Sequence, residues 1–165
     1  MDYQNLVRDF IQRTRNNLEY IEKAHETDPS AEVYEVTQLI NSLLGLIVFP
    51  NEQYFMHIPE TSLEELAKEG WKIPEVKGKF SQVGNLRQLM RYMRNAIAHS
   101  NLEFISDGYT LIGIRLWNCT RAGVKNWQVE MKINDLREIT YRFIDLILAD
   151  QNLRHFEKRA KCQKG

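Results

Sequence analysis

Four stretches of this chain repeat apolar residues at steps of three and four, and a stretch between the third and the fourth alternates instead. A helix returns a side chain to the same face every 3.6 residues and a strand every second residue, so this change of period marks a change of element. The first helix is predicted over residues 1–25, with Leu6, Val7, Phe10, Ile11, Leu18 and Ile21 on one stripe and Asp2 as its cap. Thr27-Asp28-Pro29-Ser30 breaks the pattern. The second helix is predicted over 31–49, on Val33, Val36, Ile40, Leu43 and Ile47, widened by Leu39, Leu44 and Val48. Pro50 stops it. The third, over 82–100, carries Val83, Leu86, Met90, Met93 and Ile97. The fourth, over 134–152, starts at Asn134 as cap and buries Leu136, Ile139, Phe143, Leu146 and Ile147.

Residues 103–133 read as a small antiparallel meander. Strands are expected at Glu103–Ile105, Tyr109–Trp117 and Trp127–Ile133, with turns at Asp107-Gly108 and Arg121-Ala122-Gly123. In the last strand Trp127, Val129, Met131 and Ile133 alternate with Gln128, Glu130 and Lys132, which makes Trp127 a core residue. Trp117 is out of phase with Ile112, Ile114 and Leu116 and is expected on the exposed side. Residues 51–81 form an irregular connection. Pro59 and Pro74 exclude one continuous helix there, but Thr61 and Glu64 suit a capping box and Gly70 a C-terminal stop for a short helix. The tail, 157–165, is basic. Four amphipathic helices pack most simply as a bundle. The expectation is therefore a single, mainly α domain over 1–165, a four-helix bundle with the meander outside it, inserted between the third and fourth long helices.

Composition narrows the function. Lys+Arg and Asp+Glu both number 22 in 165 residues, so the net charge is zero and any polyanion site must come from local segregation of charge. Cys119 and Cys162 stand far apart and no histidines have metal-ligand spacing, so neither a metal nor a cofactor is expected. The polar start Met1-Asp2-Tyr3-Gln4-Asn5 and the shortness of the longest apolar run, Leu43–Phe49, predict a cytoplasmic protein without a membrane partner.

The third helix segregates charge. At about 100° per residue its uncovered side holds Arg94, Arg87, Ala98, Arg91, Gly84, Asn95, Gln88 and His99. No acidic residue occurs from Phe80 to Asn101. A solvated helix face ordinarily mixes signs to gain i,i+4 pairs. Three arginines on a face without carboxylates make an anion site, or else they pair with acids on another element, and spacing alone does not choose. His99 and Asn95 lie one turn apart, whereas Arg94 lies about 140° around the axis from His99. Two copies of the helix about a two-fold axis would bring them to one phosphate, and the small residues Gly84 and Ala98 would let the copies approach.

Arg94-Asn95-x-x-x-His99, near the end of the third long helix, resembles the R-x(4–6)-H signature of the HEPN superfamily. More closely, the chain resembles a plasmid-borne HEPN family of predicted RNase toxins, on the segments Glu35–Ser42 and Asn85-Leu86-Arg87-Gln88. The resemblance implies a four-helix bundle and a metal-independent endoribonuclease, a toxin or defence effector. In it the RNA 2′-hydroxyl attacks the adjacent phosphate and leaves a cyclic phosphate and a 5′-hydroxyl. His99 would then be general base or acid. Arg94 would bind the phosphate and stabilise its developing charge, and Asn95 would orient His99 or bond the phosphate. Arg87 and Arg91 follow from the helical wheel as holders of flanking RNA phosphates. An antitoxin or defence-system protein is the expected partner. Some relatives are modified on a tyrosine two residues past the histidine, and here that position is Asn101.

Two other readings use the same face. A HEPN dimer without catalysis would bind RNA, a nucleotide or a partner protein there. A purely structural helix would use its arginines for ion pairs and His99 as a C-terminal cap, stabilised by the helix dipole.

Overall fold

The computed structural model describes residues 6–28, 30–48 and 55–150. Asp2 as a cap, Pro50 as a stop and the basic tail lie outside these residues. The described elements are α1 (Leu6–Thr27), α2 (Glu35–Val48), α3 (Leu63–Lys68), β1 (Glu75–Val76), α4 (Leu86–Ala98), β2 (Leu102–Asp107), β3 (Thr110–Cys119), β4 (Lys125–Lys132) and α5 (Ile133–Ala149). The chain is thus mainly helical with one small antiparallel sheet. It divides into two compact units, Met1–Ser42 with Thr140–Gly165, and Leu43–Ile139.

In the first unit α1 runs antiparallel to the second half of α5. Arg8 donates to the Leu148 carbonyl (2.6 Å), Arg15 pairs with Asp145 (2.5 Å), and the Tyr141 hydroxyl donates to Glu22 (2.8 Å). Positions 8, 15 and 22 repeat every seven residues, so one edge of α1 follows α5 along its length. Ile11, Leu18, Phe143, Ile144 and Ile147 are fully buried. The turn before α2 is longer than expected, and the helix begins at Glu35 instead of Ala31. The cause is Asp28, whose carboxylate accepts from the Ser30 amide (3.0 Å) and hydroxyl (2.6 Å) while its carbonyl accepts from the Ala31 amide (2.9 Å). This Asx turn carries the chain past the expected start.

The second unit holds the sheet, in the order β1-β4-β3-β2 with every pair antiparallel. It has four strands where the sequence suggested three. β1 is only two residues long, too short to show a period, and it joins through backbone pairing of Glu75 with Glu130 and Val76 with Val129. Two glutamates placed opposite repel. Lys77 offsets one (2.6 Å to Glu75), and Arg115 offsets the other (2.7 Å to Glu130) while also holding Glu103 (2.5 Å). The sheet is no appendage to the helices, as the expectation had it: β3 packs against α4. The buried residues Ile114, Leu116, Trp127, Val129 and Met131 supply that packed face. Gly113 lets β3 approach β4 closely, since a Cβ there would stand 2.7 Å from the Met131 carbonyl oxygen.

The short helix α3 has its capping box one residue later than expected, at Ser62 and Glu65. The Ser62 hydroxyl accepts from the Glu65 amide (3.2 Å), and the Glu65 carboxylate accepts from the Ser62 amide (3.1 Å). Gly70 closes the helix at φ 89°, where the Gly70 and Trp71 amides bond the Ala67 and Leu66 carbonyls. The Ser62 hydroxyl and amide together hold the Glu65 carboxyl below the usual carboxylate range. A depressed folded value means that the box is complete above the unfolded range and is lost as pH falls through the depressed value. The Ser62 amide NMR resonance should therefore move only in acid, and Glu65→Gln should abolish that movement.

Candidate functional site

The site helix α4 starts four residues later than its apolar pattern suggested. Asn85 takes the N-cap with its side chain accepting from the Gln88 amide (2.9 Å), and the Gln88 side-chain oxygen accepts from the Gly84 amide (2.9 Å). The Leu86 amide donates to the Thr61 carbonyl (3.0 Å), which anchors this end to the chain entering α3. Leu86, Leu89, Met90, Met93, Ala96 and Ile97 are buried. Tyr92 meets Trp127 of β4 edge to face at 5.5 Å. The helix is thus fixed on the sheet along one side, as its stripe of apolar residues requires.

The opposite end is built around His99. Its amide donates to the Asn95 carbonyl (3.1 Å), and it is the C-cap. Ser100 follows at φ 55°, the left-handed region, where its amide bonds the Ile97 carbonyl (3.0 Å) and the Asn101 amide bonds that of Ala96 (2.7 Å). This is a Schellman turn with serine in the place that glycine ordinarily fills. Among the described residues Ser100 is the one non-glycine with positive φ. Ser100→Gly should therefore stabilise the fold by about 1 kcal/mol, measured by urea denaturation. A loss of stability would mean that the serine hydroxyl matters more than the backbone strain.

His99 and Ala98 are exposed, and Arg91, Arg94 and Asn95 are half-buried. The Arg94 guanidinium lies 4.8 Å above the ring of Phe55, itself fully buried. Arg87 is differently engaged. Its Nε donates to the Ile58 carbonyl (2.7 Å) and it pairs with Glu60 (2.5 Å), so its charge ties the connecting segment to the helix. Sequence reasoning did not find Phe55, Ile58 or Glu60, because nothing in the irregular segment 51–81 signals which residues return to α4.

Other residues fall as follows. Trp127 is fully buried and Trp71 nearly so, and Trp117 is half-buried on β3 with the Lys125 ammonium 4.8 Å over its ring. His25 lies 3.7 Å from Glu35 and His57 is exposed. No described helix is long and apolar enough to cross a membrane.

An apolar-backed helix that presents Arg94, Asn95 and an exposed His99 in its last turn defines the class to which such a chain is compared. A family model described as HEPN pEK499 p136 matches residues 1–154, and the chain belongs to this HEPN family. Searches of curated proteins and of solved structures return no match.

Proposed function

We propose that the protein is a metal-independent endoribonuclease, acting as a toxin or defence effector. The reading is carried by one observation: in a chain that belongs to a HEPN family, the motif Arg94-Asn95-x-x-x-His99 is intact and ends in an exposed histidine. His99 takes the proton from the 2′-hydroxyl, or returns one to the leaving 5′-oxygen. Either role needs solvent-side access, which its exposed position gives. Arg94 donates paired N–H groups to the phosphate oxygens as charge builds on them. Asn95, one turn before His99, orients its ring or bonds the phosphate.

Arg91 and Arg87 hold flanking phosphates in this reading. For Arg87 that means exchanging the Glu60 carboxylate for a phosphate, one anion for another. Arg94 and His99 are separated by about 140° of helix turn. A complete site therefore draws Arg94 from one copy and His99 from a second, with the exposed Ala98 on the face where they meet; Gly84 precedes the N-cap Asn85 and lies outside the helix. The HEPN bundle of long helices and an antitoxin or defence-system partner belong to the same reading; Asn101 stands where some relatives carry the modified tyrosine, so neutralisation does not take that route.

The test is RNA cleavage by the purified chain in EDTA, with analysis of the product ends. Cyclic phosphate and 5′-hydroxyl termini are expected. Intact structured and unstructured RNA at high protein concentration would sink the enzymatic reading and leave a HEPN module that binds without cutting.

A further inference from the structure

Two residues past His99 the chain bonds to a surface that the HEPN motif does not include, on the face of the sheet turned away from α4. Asn101 follows His99 by two residues, and its carbonyl accepts from the Trp117 amide (3.1 Å). The C-terminal end of β3, and the hairpin joining it to β4, are therefore at the same end of the sheet as the motif. Leu116 and Asn118 are buried, so by alternation Trp117 turns to the other face of β3, where it is half-buried. Lys125 stands over its ring, and the exposed Arg121 is in the hairpin turn.

Among the described residues no carboxylate is paired with Arg121 or Lys125. From Gly108 through Val129 the chain has no carboxylate, while it carries Arg115, Arg121 and Lys125. The acids nearest along that face, Glu103 and Glu130, are both held by Arg115. Lys125 donates to the Gln128 side-chain oxygen (2.9 Å), a neutral partner that leaves its charge in place. An aromatic face flanked by uncompensated cations is what single-stranded nucleic acid binds: the ring stacks a base and the cations meet phosphates.

We infer that Trp117, Lys125 and Arg121 form a subsite for single-stranded RNA, continuous with the motif across Asn101. The inference rests on the ribonuclease reading for its choice of RNA. A strand whose phosphate lies at His99 continues over the sheet edge at Asn101. A base then takes the place of the Lys125 ammonium on the indole, and Lys125 and Arg121 turn to the flanking phosphates. A duplex cannot offer an unstacked base, so the subsite selects single strands.

The test uses a fluorescent single-stranded 2′-O-methyl RNA, which cannot be cut because its attacking hydroxyl is blocked. Trp117→Leu should weaken its binding about tenfold, with partial rescue in Trp117→Phe. Arg121→Ala with Lys125→Ala alters only exposed side chains, and should weaken binding at least as much. That pair should also lower the salt slope by about 1.4, two contacts at about 0.7 each. Because Trp71 and Trp127 are buried, quenching of tryptophan emission by the RNA should vanish in Trp117→Phe. Wild-type affinity in the Arg121/Lys125 double variant, in folded protein, would overturn the subsite. So would equal affinity for a duplex. Binding that follows these expectations in a chain that cuts no RNA would keep the subsite and overturn the ribonuclease. Cleavage that survives without this binding would do the reverse.

Discussion

His99→Ala should lower RNA cleavage by two to four orders of magnitude while leaving the melting temperature where it was. The range is what a positioned general acid or base contributes. The indifference of stability follows from where His99 stands. Its ring is exposed, and the bond it gives the helix end, amide to Asn95 carbonyl, is a backbone bond that alanine retains. Substitutions at such surface positions ordinarily cost within about 0.5 kcal/mol. Single-turnover cleavage and thermal denaturation on the same preparation check both halves. A histidine that merely caps the helix predicts the opposite pair of results: unchanged cleavage, and a loss of stability.

The largest effect on stability is expected at Trp127. It is fully buried on β4 and meets Tyr92 of the motif helix, so it joins the sheet to α4. Trp127→Ala should cost about 3–5 kcal/mol, the usual range for an aromatic removed from a core. In a chain of this length that lowers the melting temperature by about 10 °C. Trp127→Phe should cost far less than size alone suggests. The buried indole N–H has no acceptor among the described residues, and phenylalanine removes that unpaired donor together with part of the ring. Denaturant midpoints of the two variants test this. A phenylalanine variant as unstable as the alanine one would mean that the indole N–H is satisfied by water.

The long-range order of the chain was legible from periodicity because burial imposes it. Val83, Leu86, Met90, Met93 and Ile97 were picked by spacing and are all buried. The alternation of Trp127, Val129 and Met131 marked the packed side of β4 for the same reason. Element starts were less legible, since they depend on which polar side chain wins a backbone amide. Asn85 and Ser62 win at α4 and α3, and the Asp28 turn delays α2. The motif Arg94-Asn95-x-x-x-His99 was also readable, because one helix end carries it whole.

What the sequence alone decided, then, is most of the inward faces and which helix bears the motif, for these follow from local repeat and adjacency. Val48 and Ile112, placed on apolar faces by spacing, are exposed, while Leu46, Leu89 and Ile144, which spacing passed over, are buried. Tertiary structure alone decided what the groups off the core stripes do. It assigned Arg87 to Glu60 and Arg94 to Phe55, gave the sheet its fourth strand, laid β3 on the motif helix and set Trp117 beside Asn101. Each of these joins residues distant in sequence. Such contacts impose no repeat on the chain, so no periodicity reveals them.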